Sequence, residues 1–145
     1  MRVLALDYGS ARCGCAVTDP TGVLVTPIEP VLAPRTRRGL GRLRELVSSL
    51  GIGRVVVGLP LSLSGGDSEQ TRETREFAEM LERQLPVPVE LWDERFTTRM
   101  AERSGGRASE DSRAAGHLLE SWLAAQGSPS PRAPENSLAA RSADD

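Results

Sequence analysis

The chain opens on an unbroken apolar run, Val3-Leu4-Ala5-Leu6, that ends in Asp7. Such a run suits a strand buried on both faces whose C-terminal end opens to a site. Tyr8-Gly9-Ser10 turns the chain and residues 13–18 make a second strand. Asp19-Pro20-Thr21-Gly22 has the composition of a tight turn, and residues 23–26 resume an extended run. This stretch predicts an antiparallel meander of three strands.

The period then changes. Leu40, Leu43, Val47 and Leu50 recur at helical spacing within residues 36–50, with Gly51 and Gly53 as the stop, and a helix is expected despite Gly39 and Gly41. Residues 54–58 carry three valines and read as a short buried strand, followed by a Gly- and Ser-containing loop over 59–66. A helix over 68–85 is capped by Asp67 or Ser68, presents Phe77, Ala78, Leu81 and Leu85 as its stripe, and ends at Pro86 and Pro88. Residues 87–92 are a further strand that ends, like the first, in acids. Ser109 caps a last helix running to Gln126, with Ala114, Ala115, Leu118, Leu119, Trp122 and Leu123 on its buried side. The pattern is mixed α/β: an antiparallel three-strand meander plus two parallel strands, flanked by helices.

Composition narrows the picture. A chain of 145 residues is expected to form one domain, and 39% apolar residues with 14 glycines match an ordinary globular chain. The domain is placed at 1–126. The tail, 127–145, is rich in Ser, Pro and Ala with Leu138 as its single large apolar residue, so it is expected to be disordered. No apolar stretch approaches the ~18 residues of a membrane span, and the chain starts directly on a strand, so a cytoplasmic location is expected. Cys13 and Cys15 share one face of a strand, which suits neither a disulfide nor a zinc site, and they read as reduced core residues. All 18 cations are Arg, against 20 acids, for a net charge of -2. Any nucleic-acid site must therefore be a local patch of guanidinium groups.

The candidate chemistry lies at the strand ends. Asp7 ends a buried strand, where α/β sheets hold ligands, although it could equally cap the Tyr8–Ser10 turn. Asp93 and Glu94 end another strand beside Arg95. Adjacent strand residues face opposite ways, so only one of the two is expected to enter a shared site. Asp111 stands in the first turn of the last helix, where the helix dipole alone would favour an acid. Three acids from two strand ends and one helix start are what a site for Mg²⁺ or Mn²⁺ requires, and such a site hydrolyses phosphodiesters.

Four stretches, in order, carry a family resemblance. They are Leu6-Asp7-Tyr8-Gly9-Ser10-Ala11-Arg12-Cys13-Gly14; Val57-Gly58-Leu59-Pro60-Leu61 with Gly65-Gly66; Asp93-Glu94-Arg95-Phe96-Thr97-Thr98; and Asp111-Ser112-Arg113-Ala114-Ala115. This set resembles the motifs of the YqgF/RuvX family. The resemblance implies an RNase H-like fold related to Holliday-junction resolvases, and a metal-dependent nuclease that processes the 5′ end of the 16S ribosomal RNA precursor. It implies that Asp7, Asp93, Glu94 and Asp111 are catalytic and carry the metals, that Arg95, Thr97 and Thr98 lie beside them, and that Arg12 faces a phosphate. Two departures stand out. The interval from Asp93 to Asp111 holds only Arg95, Arg99, Arg103 and Arg107 as cations, so nucleic-acid binding is expected to be weaker or built differently, and Cys13 occupies a position that is usually apolar.

A substitute patch exists in Arg35, Arg37, Arg38, Arg42 and Arg44, which either contacts a phosphate backbone or is a solvated helix face. Glu69, Glu73, Glu76, Glu79 and Glu82 on the next helix would repel a polyanion and read as the back of the molecule. His117 lies about 240° around the helix from Asp111 and reads as a surface residue. Few aromatics argue against a base-stacking platform. The expected partners are RNA rather than DNA and pre-ribosomal particles. The alternatives are a resolvase-like DNA endonuclease and a non-catalytic nucleic-acid-binding factor. A kinase-like reading of the Asp7 turn fails for lack of a second lobe.

Overall fold

In the computed structural model, five strands and three helices among the described residues form three layers. The structure describes residues 1–61, 66–97 and 110–127, with positions 110 and 111 described by their backbone alone. Thr98, the Ser109 cap, Arg99, Arg103, Arg107 and the tail from residue 128 onward lie outside the described residues.

The strands β1 (Arg2–Asp7), β2 (Arg12–Thr18), β3 (Val25–Leu32), β4 (Ile52–Leu59) and β5 (Val89–Asp93) make one sheet in the order β3-β2-β1-β4-β5. β1 pairs antiparallel with β2 and parallel with β4, and β4 pairs parallel with β5. The mixed topology is the one the pattern predicts. The third strand differs: it runs from Val25 to Leu32 rather than over 23–26, through Pro27 and Pro30. Proline reads as a strand breaker because it cannot donate to a ladder, but β3 is an edge strand, where that donor is dispensable.

Alternation along β1 divides the core. Leu4 and Leu6 face α1 (Arg37–Ser49) and α2 (Glu69–Gln84), packing with Leu43, Val47, Val57, Phe77 and Leu81. Val3 and Ala5 face α3 (Glu110–Gly127), packing with Ala16, Val56, Ala115, Leu118, Leu119 and Trp122. Each fully buried large side chain contributes roughly 1.5–3 kcal/mol. Cys13 and Cys15 are buried inside the first cluster with no disulfide between them.

The helix starts follow the capping chemistry. Thr36 Oγ1 accepts from the Gly39 N–H at 3.1 Å, and Ser68 rather than Asp67 caps α2 by accepting from the Thr71 N–H at 3.2 Å. Gly39, a weak point for a helix, is required by packing: a Cβ there would lie 2.1 Å from the Ala33 carbonyl oxygen. No helix among the described residues is long and apolar enough to cross a membrane.

Candidate active site

Strand parity decides which side chains meet at the C-terminal end of the sheet. Val3 and Ala5 face α3, and the same alternation carries Asp7 to that side. On β4, Val56 faces α3 and Gly58 follows it. On β5, Trp92 packs toward α3, and Glu94 follows as the first residue of a 3-10 turn, Glu94–Phe96. β4 lies between β1 and β5, so Glu94 can meet Asp7 only by crossing β4. Gly58 leaves the crossing open: a Cβ on it would lie 2.7 Å from Glu94 Oε2 and 3.1 Å from Leu118 Cδ2.

The product of this geometry is a carboxyl pair. Burial, followed by the negative charge of Asp7 and a hydrogen bond to it, pushes the Glu94 carboxyl up to about 7, and Asp93 adds a smaller push. When it carries a proton, Glu94 can donate it to Asp7. Asp93 turns the other way. Its oxygens accept from Arg95 Nε at 3.1 Å and Nη2 at 2.7 Å, and Oδ1 accepts from the Arg95 N–H at 2.9 Å. Those bonds hold the Asp93 carboxyl below the usual carboxylate range and raise the Arg95 guanidinium in turn. The two adjacent acids are thus separated: Glu94 joins Asp7, and Asp93 joins Arg95.

The 3-10 turn is tied to α3. Ser121 Oγ donates to the Phe96 carbonyl at 3.0 Å and accepts from Trp92 Nε1 at 3.1 Å. Trp122 Nε1 donates to Glu90 Oε2 at 3.2 Å, while Arg54 holds Oε1 of the same carboxylate at 3.1 Å. Thr97 follows the turn, its Oγ1 buried and without a hydrogen-bond partner among the described residues. His117, expected on the surface, has a side chain only 19% exposed, with Nδ1 4.0 Å from Glu120 Oε1. It lies one helical turn from Ser121, on the stripe that the 3-10 turn adjoins.

Asp111 is the second residue of α3, on the same side of the sheet as Asp7 and Glu94. Its neighbour Ser112 is fully buried and accepts from the Cys15 N–H at 3.2 Å. Cys15 pairs with Leu6. The backbone at 111 therefore lies at the end of the sheet where Asp7 stands. Sequence reasoning assigned no role to Gly58, Ser112 or Ser121. The signal for Gly58 was a glycine inside a strand, which marks close approach by another group; the two serines gave none.

The arginines divide. Arg12 is exposed and shares the α3 side with Asp7 by alternation with Gly14 and Ala16. The Ala33 N–H donates to the Ala11 carbonyl at 2.9 Å, which brings the start of α1 beside the β1–β2 turn, with Arg37 and Arg38 exposed in its first turn. Arg35 lies 3.8 Å from Glu76. Arg42 is bound to Glu45 at 3.1 Å and Arg44 to Gln84 at 2.8 Å, so the second half of the run serves the helix surface.

A divalent, oxygen-seeking cation fits the carboxyl pair. Both donors are oxygens, and of the causes that raise the Glu94 carboxyl, burial first and the Asp7 charge second, a cation would offset the repulsion between the two acids. Among the described residues no three His, Cys, Asp or Glu side chains converge closely enough to hold a metal. A further donor would come from position 111, water or substrate.

A five-stranded sheet of this order between helical layers is the RNase H-like fold, and the family match that follows makes this chain a nuclease, an enzyme that hydrolyses phosphodiester bonds. The profile of the RuvX family, described as Holliday junction resolvase, matches residues 1–125, and the chain belongs to that family. Relatives named "Putative pre-16S rRNA nuclease" include one from Koribacter versatilis, 46% identical over 102 residues, covering 70% of this chain and 67% of that protein. Another, from Maridesulfovibrio salexigens, is 38% identical over 134 residues, covering 86% of this chain and 98% of the relative. The fold is similar to that of RuvC from Thermus thermophilus, with a TM-score of 0.54 at 16% identity, covering 88% of this chain and 97% of that one.

Proposed function

We propose that this nuclease is metal-dependent, with Asp7 and Glu94 as its cation-binding pair and Asp111 completing the set, and that it trims the 5′ end of the 16S ribosomal RNA precursor in the cytoplasm. The observation that carries the metal reading is the Asp7–Glu94 pair, two carboxyl groups brought together across Gly58. Bound there, Mg²⁺ or Mn²⁺ would lower the pKa of an attacking water and stabilise the departing oxygen. The chain's own contribution is placement. Asp7 and Glu94 are fixed on rigid elements, while the Arg95 clasp keeps Asp93 from competing for the cation and orients the turn. Exposed Arg12, Arg37 and Arg38 form a track for backbone phosphates at the same end of the sheet, and Arg35 can join it, because an exposed ion pair such as Arg35–Glu76 is worth only about 0–1 kcal/mol. Thr97 and Thr98 follow the turn and are assigned to the substrate side. RNA is favoured as substrate by the names of the relatives, and pre-ribosomal particles are then the natural partners.

The test is cleavage of labelled RNA extending beyond a structured ribosomal RNA end, beside a four-way DNA junction, with Mg²⁺ or Mn²⁺. RNA cutting that needs the metal and falls about a thousandfold in Asp7→Asn, about 4 kcal/mol of transition-state stabilisation, is the expected result. Junction cutting alone would replace the RNA reading with a resolvase. Equal binding by both proteins with no cutting of either substrate would overturn the catalytic assignment.

A further inference from the structure

We propose that Ser112 is a positioning residue that sets α3, and with it position 111, against the strand bearing Asp7. This inference rests on the metal-site reading above and adds to it the part that holds the helix in place.

The β2–β3 ladder breaks where Ser112 meets it. Cys13 pairs with Val31 and Cys15 with Ile28, so two steps along β2 answer three along β3. At the break, the Ser112 hydroxyl lies between the strands. It accepts from the Cys15 N–H at 3.2 Å and donates to the Ile28 carbonyl, reconnecting a donor and an acceptor through one oxygen. The side chain is fully buried, so water cannot substitute for it without opening the core. Among small side chains only a hydroxyl can both accept and donate from a single atom here; alanine removes both bonds.

The position of this contact gives it its meaning. Cys15 pairs with Leu6, the residue before Asp7, and Gly14 pairs with Asp7 itself. Ser112 therefore registers the start of α3 to the strand position adjoining the carboxyl pair, and it is covalently next to 111. The same helix is bonded through Ser121 to the turn that begins with Glu94. One rigid helix thus spaces the Glu94 turn and position 111 from Asp7, and the Ser112 bonds fix that helix at its site end.

The experiment is an Mn²⁺ titration of the full chain followed by electron paramagnetic resonance, on wild type, Ser112→Ala, Ser112→Thr and Leu119→Ala. Leu119→Ala loosens the same helix by opening a cavity without touching the hydroxyl. The expected result is an Mn²⁺ dissociation constant about tenfold higher in folded Ser112→Ala, as for other groups that orient metal ligands, with recovery toward wild type in Ser112→Thr and no shift in Leu119→Ala. RNA affinity measured in EDTA stays at the wild-type value in all four. An unchanged constant in Ser112→Ala, or an equal shift in Leu119→Ala, overturns the positioning role. Should Ser112→Ala fail to fold, Ser112→Gly takes its place, since it likewise removes both bonds, and the same criteria apply. Wild type that takes up no Mn²⁺ would overturn the metal-site reading itself, an outcome separate from any difference among the variants.

Discussion

The two faces of the sheet are built on different principles. On the α1 and α2 face, large side chains such as Leu4, Leu6, Leu43, Phe77 and Leu81 interlock, and Tyr8 stacks on Phe77 with ring centroids 4.4 Å apart. On the α3 face the strands contribute small residues, Ala5, Ala16 and Gly58, and the helix is bonded to the sheet and the 3-10 turn through Ser112, Ser121 and Trp122. Apolar burial is strong but non-directional, whereas a hydrogen bond is weak in net energy and strict in geometry. The first face supplies stability. The second supplies position, and the carboxyl pair lies on it.

That division can be broken from either side. Phe77→Ala should remove about 3–5 kcal/mol of stability, read by urea unfolding, while the Mn²⁺ affinity of the folded fraction stays unchanged. A large loss of affinity in the folded protein would show that the faces are not separable. Gly58→Ala should do the reverse. The nearest obstacle to its new Cβ is the end of the Glu94 side chain, which can swing aside, so stability should change by less than about 1 kcal/mol while cleavage falls about a hundredfold, about 2.7 kcal/mol. Full activity in that variant would mean that Glu94 need not cross β4.

The smallest effect concerns pH. The Glu94 carboxyl rises from 4.5 to about 7 on folding, so between those values the folded state holds more protons than the unfolded one. Its contribution to stability is present below about 4.5 and is lost as pH rises through about 7. In EDTA, the Tm of wild type should drop between pH 5 and pH 8 by more than that of Glu94→Gln, and Mn²⁺ should restore it at pH 8. Parallel pH profiles for the two proteins would sink this account.

What the sequence disclosed follows the range of the interactions involved. Strand parity, caps and helical stripes are local, so the sheet, the Ser68 cap and the acids at the strand ends could all be read from the chain. The expectation that Asp93 and Glu94 face different ways was also local, and they do take different partners. Which of them meets Asp7 depends on Gly58 lying beneath Glu94 on another strand, a matter of register. Ser112 reaches Cys15 across 97 positions and Ser121 reaches Phe96 across 25, and no local pattern announces either bond. His117, expected on the surface, is partly buried, and helical geometry gives its direction but not what packs around it.

The prolines of β3 have a consequence for solubility. An edge strand is an invitation for another chain to pair with it, and self-association of that kind seeds aggregates. Pro27 and Pro30 offer no N–H to an incoming strand, and the irregular pairing beside them bends the rim away from a flat template. The rim of the sheet nearest the helix start is thereby closed to cross-β growth, leaving the short β5 as the other strand from which such growth could begin.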